Sequence, residues 1–326
     1  MSTYFITGGY GFLGQYIVQA VHDYDAAGEL RVLIRSQRKT RLNLEKLDRI
    51  TWTRGELTKP ETFAEQLKGV DTVIHSAAMV SFKPADRQKV FDANVVGTRS
   101  IAAAARAAGC TNFVFVSSFS AVEFRPPLVT DESFVPDLAY KERHDIYGYT
   151  KRLSELELME IAGDMRVVIL NPTVILGPGS ERVDAAMNAL RKTPIVPMMD
   201  YINAFVDVRD VARAITLAIT KGRCGERYLV SAHNARMVEF TRAIVKYVGQ
   251  RKMVFALSPA GVQIADGLVA LLDMAGLNPG VRRPGLINVD KPCSSEKIRT
   301  EMGWSPAYSL DQSIKDSVID PDGQEL

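Results

Sequence analysis

A chain of 326 residues is long enough for one large domain or two modest ones with a substantial core. Its 46% hydrophobic and 24% charged residues exclude disordered and fibrous classes of protein. A formal net charge of +2 gives no global attraction to nucleic acid or anionic lipid. We therefore expect no nucleic-acid partner.

Three cysteines, Cys110, Cys224 and Cys293, are far apart in the chain. Their odd number and spacing disfavour a disulfide framework and a zinc site, and they fit a reducing compartment. Residues 4–6 already form an apolar run, so no secretory signal is expected. The apolar stretch 262–277 is interrupted by two aspartates and predicts a buried or pocket-lining helix, with a helix on a membrane surface as the alternative. These features predict a cytoplasmic protein with no membrane span and no metal.

The first half of the chain alternates short apolar runs with helix-like segments. The strand candidates are residues 4–6, 31–34, 50–52, 72–74, 113–116 and 166–170. The helix candidates are Gly14–Tyr24, Pro60–Lys68, Asn94–Ala108 and Tyr147–Ala162. Because strand–helix repetition requires right-handed crossovers, the pattern predicts an α/β fold with a Rossmann-type, doubly wound parallel sheet.

The pattern changes after about residue 175, where Gly177-Pro178-Gly179 forms a breaker cluster. Two further strand candidates follow, at residues 204–208 and 227–230. We predict a nucleotide-binding domain over residues 1–178, to which residues 204–232 return. Residues 179–203 and 233–326 are predicted to form a smaller, interleaved C-terminal substrate lobe.

A glycine-rich loop, TGGYGFLG at residues 7–14, joins the first strand to the first helix. Its glycines permit a tight turn, close approach to a pyrophosphate and close packing of helix on strand. The helix N-terminus adds backbone amides and a positive dipole end. The strand-to-helix context predicts a dinucleotide site. The predicted contacts in this loop are Gly8, Tyr10, Gly11, Phe12, Leu13 and Gly14.

The end of the second strand predicts which dinucleotide binds. Chains that bind NAD usually place an acid there for the ribose 2′-hydroxyl. This chain reads LIRSQRK at residues 33–39, which offers donors and positive charge suited to a 2′-phosphate. Arg35 and Arg38 are therefore predicted to favour NADP(H). A solvated basic surface loop is the alternative interpretation.

A predicted helix carries two tyrosines and a lysine. Tyr147 and Lys151 are four residues apart and share one face, whereas Tyr149 points roughly 200° around the axis from Tyr147. Alone, this spacing is typical of an ordinary pair on a helix surface. The fifth strand, however, ends in Ser117 and Ser118, whose hydroxyls are expected at the ligand-binding edge of the sheet.

Eight motifs follow one another along almost the whole chain. They are TGGYGFLG (7–14), VDTVIHSAA (70–78), NVVGT (94–98), VFVSS (114–118), YGYTK (147–151), NPTVILGPG (171–179), FVDVRDVA (205–212) and MGWSP (302–306). In this order the chain resembles the extended short-chain dehydrogenase/reductase family of the NAD-dependent epimerase/dehydratase type. The pattern is closest to the branch of dihydroflavonol 4-reductase and 3β-hydroxysteroid dehydrogenase.

The resemblance implies three catalytic residues. Tyr147 would donate a proton to the oxygen of a carbonyl that receives hydride from the cofactor. Lys151 would lower the pKa of that phenol and hold the nicotinamide ribose. Ser118 would hydrogen-bond the same oxygen. Ser117 and Ser120 are the competing serines, and matching to the reductase branch selects Ser118.

The resemblance also implies contacts around the rest of the cofactor. Glu56 replaces the family's usual aspartate near adenine, which leaves its own contact open. Asn94 matches an asparagine that supports the active-site helix, and His75 is expected to be packed and hydrogen-bonded. In the segment 205–212, interpreted as structural, Asp210 is predicted to cap a helix. These further cofactor residues are Glu56, Leu57, Ser76, Ala77, Ala78, Asn94, Lys151, Pro172 and Val174.

Four functions stay open at this point. The resemblance favours an NADPH-dependent reductase of a ketone or aldehyde, or the reverse alcohol oxidation. A 3β-hydroxysteroid dehydrogenase-like enzyme and an NAD-dependent sugar nucleotide epimerase or dehydratase are alternatives, although Phe119 and Ser120 stand where dehydratases carry acids. The non-enzymatic alternative is a silent NADP sensor. The composition of the predicted substrate lobe indicates an uncharged, apolar small-molecule substrate. The helices predicted over Asn94–Ala108 and Tyr147–Ala162 resemble those that pair in homodimers of the family.

Overall fold

The computed structural model describes residues 1–36, 40–180, 183–184, 187–188, 190, 194–249, 252–274 and 289–319. The strands are β1 (Thr3–Thr7), β2 (Glu29–Ile34), β3 (Ile50–Arg54), β4 (Thr72–His75), β5 (Asn112–Val116), β6 (Arg166–Pro172), β7 (Val174–Leu176), β8 (Ile195–Met198), β9 (Ile202–Asp207), β10 (Glu226–Val230), β11 (His233–Arg236) and β12 (Met253–Ala256). The α-helices are α1 (Phe12–Tyr24), α2 (Arg87–Phe91), α3 (Gly97–Ala107), α4 (Leu138–His144), α5 (Ile146–Ile161), α6 (Val208–Thr220), α7 (Met237–Val248), α8 (Pro259–Met274), α9 (Glu296–Met302) and α10 (Leu310–Val318).

The central sheet has seven strands in the order β10-β6-β5-β4-β1-β2-β3, and all of its pairs are parallel. Its inner strands are apolar runs buried on both faces, as a parallel sheet covered by helices requires. The strand order reverses at β1, which lies between β2 and β4. The predicted doubly wound α/β fold is confirmed, and its switch point opens a crevice at the carboxyl ends of the strands.

The two faces of this sheet have separate cores. Alternate residues of β5 point to opposite sides, so Val114 packs with the core that includes α1 and α6, while Phe113 packs with the core that includes α3 and α5. The helices predicted over Gly14–Tyr24 and Tyr147–Ala162 are present as α1 and α5.

The helix predicted over Pro60–Lys68 is wrong. Two short 3₁₀ turns, Pro60–Thr62 and Ala64–Leu67, stand there instead. Phe63 interrupts them with φ −142°, and it is almost fully buried against Phe5. The break allows the Phe63 ring to enter the core, and this burial outweighs the helical continuity that the sequence suggests.

The helix predicted over Asn94–Ala108 also begins differently. A π turn, Asp92–Val96, precedes α3. The carbonyl of Asn94 accepts hydrogen bonds from the hydroxyls of Thr98, at 2.5 Å, and Ser154, at 2.9 Å. The wider turn therefore coincides with the point where this helix contacts α5, and π turns are frequent near functional sites.

A smaller set of strands follows the main sheet. β11, β9 and β7 form a three-stranded sheet, and β12 pairs with β8. They pack with α7 and α10 around a third core that includes Phe205 and Phe240. After α6, β10 returns to the edge of the main sheet, whereas β9 belongs to the three-stranded sheet. The exact division into domains stays a prediction.

The apolar stretch 262–277 does form a helix, α8, as far as Met274. The prediction that it is buried or lines a pocket is wrong, because Ile264, Leu268 and Leu271 are 57–67% exposed. The stretch is apolar around most of its circumference, so one face packs while another meets solvent. Residues 275–277 lie outside the described residues. Among the helices that the structure describes, none is long and apolar enough to cross a membrane.

The segment 205–212 has a different cap from the predicted one. Asp207, not Asp210, is the N-cap of α6, and its carboxylate accepts from the amide of Arg209 at 2.9 Å. The guanidinium of Arg209 bridges Asp207 and Asp316 at 2.8 Å each. None of these three residues lines the large cavity described below. The structural interpretation of this segment is therefore confirmed.

Asp210 has a long-range role instead. Its buried carboxylate accepts from the amides of Ala307, at 2.9 Å, and Tyr308, at 3.2 Å. Its backbone carbonyl accepts from the indole of Trp304 at 3.0 Å. Two motifs noted in the sequence, at 205–212 and 302–306, are thus held together by one aspartate.

Replacement of Asp210 by alanine is expected to reduce the free energy of unfolding by about 2–3 kcal/mol, because the two backbone amides would lose their buried acceptor. Asp210→Asn keeps an acceptor oxygen and is expected to lose less. Urea unfolding of the two variants beside the native chain measures this difference. An alanine variant as stable as the native chain would contradict the assigned role.

Candidate active site

The carboxyl ends of the central strands open into one large cavity of about 2490 Å³. Its walls hold nearly all of the residues predicted from the sequence. The predicted residues that line it are Gly8, Tyr10, Gly11, Phe12, Leu13, Gly14, Arg35, Glu56, Leu57, Ser76, Ala77, Ala78, Ser118, Tyr147, Lys151, Pro172 and Val174. Arg38 lies outside the described residues, and Asn94 is buried and not part of the lining.

The glycine loop is shaped by close backbone contacts. Gly8 has φ +78°, and a Cβ there would lie 2.8 Å from the amide nitrogen of Ala77. A Cβ on Gly14 would collide with the carbonyl oxygen of Gly8. Gly11, the N-cap of α1, provides no side-chain cap, and the first turn of the helix holds no acid. The amides and dipole of this helix end therefore suit a pyrophosphate group, as a bound dinucleotide requires.

The end of β2 places a positive charge at the cavity wall. Arg35 is exposed there, directly after the last residue of the strand. Glu56 follows β3 near Arg35, but its carboxylate is paired with Lys59 at 2.9 Å. Lys59, followed by Thr58, is the main cause of the lowered pKa of Glu56. The local charge at this wall favours an anionic group.

His75 is packed and hydrogen-bonded, as predicted. Its Nδ1 lies 2.7 Å from the Thr7 hydroxyl, and its Nε2 lies 3.0 Å from the Thr98 hydroxyl. The Thr98 hydroxyl donates its hydrogen bond to the carbonyl of Asn94, so it can only accept from the histidine. Nε2 of His75 therefore carries the ring proton, and Nδ1 accepts a hydrogen bond from the Thr7 hydroxyl. Burial, followed by the nearby charge of Lys151, lowers the pKa of His75 to about 3. The neutral imidazole of His75 on β4 therefore joins β1 and α3 through its two hydrogen bonds.

Asn94 connects the segment after β4 to α5. Its Oδ1 accepts from the amide of Met79 at 2.8 Å. Its Nδ2 donates to the carbonyl of Met79, at 3.1 Å, and to the hydroxyl of Thr150, at 3.0 Å. These bonds favour the supporting role, and a direct contact between Asn94 and a cofactor stays a prediction.

The three residues predicted to be catalytic converge on one part of the cavity. Ser118 lies two residues after the end of β5, and its hydroxyl accepts from the amide of Ser120 at 3.2 Å. At the start of α5, a Cβ on Gly148 would lie 2.5 Å from the carbonyl of Ser120. Only a glycine lets the helix approach the serine turn this closely. The neighbouring residue Tyr147 is brought to the same wall and is 9% exposed.

Lys151 lies beneath this wall and is almost fully buried. Its Nζ donates to the carbonyl of Val116 at 2.7 Å and lies 4.4 Å from the centre of the Phe115 ring. Burial lowers the pKa of Lys151 to about 7, while the charge of Glu155 acts in the opposite direction. Tyr149 does not line the cavity. The helix geometry predicted for the two tyrosines is therefore present.

Sequence reasoning missed most of the wall beyond the catalytic residues. The Phe82 ring packs edge-on against Tyr147 with 5.9 Å between centroids, and Lys291 lies 5.7 Å from the Phe124 ring. Phe119, directly after Ser118, was a visible signal for an apolar wall, whereas nothing in the sequence links Lys291 to this cavity. The apolar lining residues in this part are Met79, Val80, Phe82, Phe119, Phe124, Pro126, Ile175 and Val289.

Within the described part of the chain, no group of three or more His, Cys, Asp or Glu residues could hold a metal ion. The arrangement offers a phenol, an ammonium and a hydroxyl around an apolar space. These groups can donate protons and hydrogen bonds to an oxygen atom, and they sit next to a site suited to a dinucleotide.

Comparison with known proteins gives consistent matches. A model of the NAD dependent epimerase/dehydratase family matches residues 4–231. Sterol demethylase protein B of Methylococcus capsulatus is 31% identical over 319 residues, which cover 93% of this chain and 94% of that protein. Tetraketide alpha-pyrone reductase 2 of Arabidopsis thaliana is 28% identical over 273 residues, 74% of this chain and 82% of that protein. The crystal structure of gox2253 has a TM-score of 0.83 at 24% identity, with 98% of this chain and 97% of that chain covered, which shows the fold alone.

Proposed function

Because this chain belongs to the NAD dependent epimerase/dehydratase family, within the extended short-chain dehydrogenase/reductase superfamily, we propose that it is an NADPH-dependent reductase of a ketone or aldehyde. The observation that carries the proposal is the shared cavity: Ser118, Tyr147 and Lys151 line the same space as the glycine loop and Arg35. The reverse oxidation of an alcohol uses the same groups.

The residues present fit NADP(H). The tight loop at Gly8 and the uncapped start of α1 suit the pyrophosphate, and Arg35 suits a 2′-phosphate. When bound, NADPH would supply the hydride. Arg35 would then distinguish it from NADH by a charge-assisted hydrogen bond.

The chain's own groups would handle the proton. Tyr147 would give its phenolic proton to the substrate oxygen, and the Ser118 hydroxyl would hydrogen-bond the same atom as its negative charge develops. The Lys151 ammonium has three protons, and Val116 accepts one of them. The others would hold ribose hydroxyls of the cofactor and stabilise an ionised phenol after proton transfer.

The substrate is proposed to be uncharged and largely apolar. Aromatic and aliphatic side chains form the wall beside Tyr147, among them Phe82, Phe119 and Phe124. Polar and charged side chains such as Glu123 also line the cavity, so the proposal rests on this apolar part of the wall, which is typical of a pocket that recognises shape and apolar area.

A second candidate is an oxidoreductase of a steroid or sterol alcohol, resembling 3β-hydroxysteroid dehydrogenase. The apolar wall fits such a substrate, and the relative of highest identity above carries sterol demethylase in its name. A panel of ketones and aldehydes with NADPH, and of sterol alcohols with NADP⁺ or NAD⁺, monitored by the absorbance of the reduced nicotinamide, separates these functions. Turnover of carbonyls supports the main proposal, oxidation of sterols alone supports the second, and binding without any turnover supports a nucleotide sensor.

Arg35→Ala is expected to weaken NADPH binding roughly 10- to 100-fold, because one charge-assisted contact with the 2′-phosphate is lost. NADH affinity is expected to stay unchanged. Fluorescence titration of both cofactors measures the effect. Arg54→Ala is the matched control, since Arg54 is exposed at the end of the neighbouring strand β3 but does not line the cavity. Equal affinity of the native chain for both cofactors would overturn the 2′-phosphate assignment and favour the epimerase and steroid alternatives.

A further inference from the structure

A buried carboxylate lies directly behind the proposed catalytic residues. Glu155 is one helical turn after Lys151 on α5 and is 1% exposed. One carboxylate oxygen accepts from the Ser117 hydroxyl at 2.5 Å and from Nδ2 of Asn171 at 2.6 Å. The other lies 2.8 Å from the guanidinium of Arg152 and 3.4 Å from that of Arg227. Four donors from three different strands and the helix therefore converge on one side chain.

This network reaches Ser118 through Asn171. The Nδ2 group of Asn171 donates both to Glu155 and, at 2.9 Å, to the backbone carbonyl of Ser118. A flipped amide would place its oxygen against two acceptors, so the carboxylate also fixes the orientation of this asparagine. Ser117 and Asn171 directly precede Ser118 and Pro172, both of which line the cavity. Glu155 thus ties the ends of β5 and β6 to α5, the helix that carries Tyr147.

The geometry points to Glu155 as a positioning residue: its buried carboxylate holds the strand ends that carry Ser118 and Pro172 in fixed register with Tyr147 and Lys151. This inference rests on the proposed function for its kinetic consequence, whereas its structural consequence is independent of any substrate. A misplacement of about 1 Å between reacting groups costs on the order of 100-fold in rate.

Charge gives the same carboxylate a second effect. Arg152 on α5 and Arg227 on β10 face Glu155, and Lys151 lies one turn before it on the same helix. Lys151 is also faced by His75 on β4, which is neutral near pH 7. The negative charge of Glu155 favours the ammonium form of Lys151 and partly offsets the effect of burial on its pKa. Removal of this charge would favour the neutral amine.

The first experiment needs no substrate. The native chain and Glu155→Gln are labelled with ¹³C at lysine Cε, and the signal that is absent from Lys151→Arg identifies Lys151. We expect the titration midpoint of Lys151 to be lower in Glu155→Gln, and to return toward the native value in Glu155→Asp, which restores the charge. An unchanged midpoint in Glu155→Gln would overturn the electrostatic part of the inference.

The second experiment measures positioning. With a carbonyl substrate found in the panel, Glu155→Gln is expected to lower kcat roughly 10- to 100-fold, with the KM for NADPH nearly unchanged. Glu160→Gln, an exposed change on the same helix, is the control and is expected to be neutral. A loss of activity that only follows the loss of folded protein, or a native kcat, would overturn the positioning role.

If Glu155→Gln does not fold, Ser117→Ala removes one of the four donors and leaves both ion pairs. It is expected to lower kcat by several-fold without a change in the midpoint of Lys151, and a native kcat would overturn the inference. Failure of every substrate would reject the proposed function alone, because the lysine titration would still test the effect of the Glu155 charge on Lys151.

Discussion

Replacement of Tyr147 by phenylalanine is expected to lower kcat by roughly 10²- to 10⁴-fold, the usual contribution of a positioned general acid. The change removes one oxygen atom and leaves the ring, which packs against Phe82 at the cavity wall. NADPH affinity and the free energy of unfolding are therefore expected to stay close to native. Steady-state kinetics with NADPH, together with a fluorescence titration of the cofactor, check both parts of the result.

The chain provides a matched control two residues away. Tyr149 lies on the same helix, is more exposed and does not line the cavity. Tyr149→Phe removes the same atom and is expected to leave kcat unchanged. Comparable losses in both variants would indicate a general disturbance of α5, and a fully active Tyr147→Phe would reject Tyr147 as the proton donor.

The parts of the site that could be predicted are local in sequence. The glycine spacing at residues 7–14 follows directly from a turn between strand and helix. The Tyr147–Lys151 spacing follows from helix geometry, and the rule that parallel strands meet ligands at their carboxyl ends points to Ser117 and Ser118, of which the family resemblance selects Ser118. Each of these inferences needs only a short segment and the identity of the neighbouring element.

The parts that could not be predicted depend on packing between distant segments. Phe63 interrupts a helix because its ring fits the core beside Phe5, which the sequence does not reveal. The sequence does not reveal that Asp210 binds the amides of Ala307 and Tyr308, almost a hundred residues away, while Asp207 caps α6. Such contacts arise only when the chain is folded, so local patterns carry no signal for them.

The hydrogen bonds of Glu155 also join distant segments and could not be predicted from the local sequence. Sequence spacing places Glu155 one turn after Lys151, where it would ordinarily be read as a solvated helix residue. The structure buries it among donors from β5, β6 and β10. The proposed catalytic residues are thus recognisable from local motifs, whereas the residue that we infer to hold them in register is recognisable only from the sheet.

Stability is expected to depend on pH through His75. In the folded chain the pKa of His75 is about 3, whereas an unfolded histidine titrates near pH 6.5. Between these values the unfolded state binds more protons than the folded state. The stabilisation by neutral His75 is therefore fully present above about pH 6.5 and is lost as the pH falls toward 3, by about 1.4 kcal/mol per pH unit.

The physical reason lies in the hydrogen bonds of the ring. Protonation at Nδ1 would place a second donor against the Thr7 hydroxyl, which itself accepts from the amide of Ala77 at 3.2 Å. The protonated ring would also lie near the charge of Lys151 in a site that excludes water. Acid would therefore disrupt the junction of β1, β4 and α3 beside the cofactor loop.

Reversible urea unfolding between pH 4 and 7 tests this linkage through a difference between two proteins. Carboxylates titrate in the same range, and burial raises the pKa values of Glu132 and Asp210, so the native slope alone is a sum of several groups. His75→Gln keeps one donor and one acceptor but cannot titrate. It is expected to be less stable at pH 7 and to lose about 1.4 kcal/mol less per pH unit below pH 6. His144→Gln, an exposed change, is the control for loss of a histidine elsewhere in the chain. Parallel slopes for the native chain and His75→Gln would show that His75 accepts a proton in the folded state, contrary to its burial between two threonines.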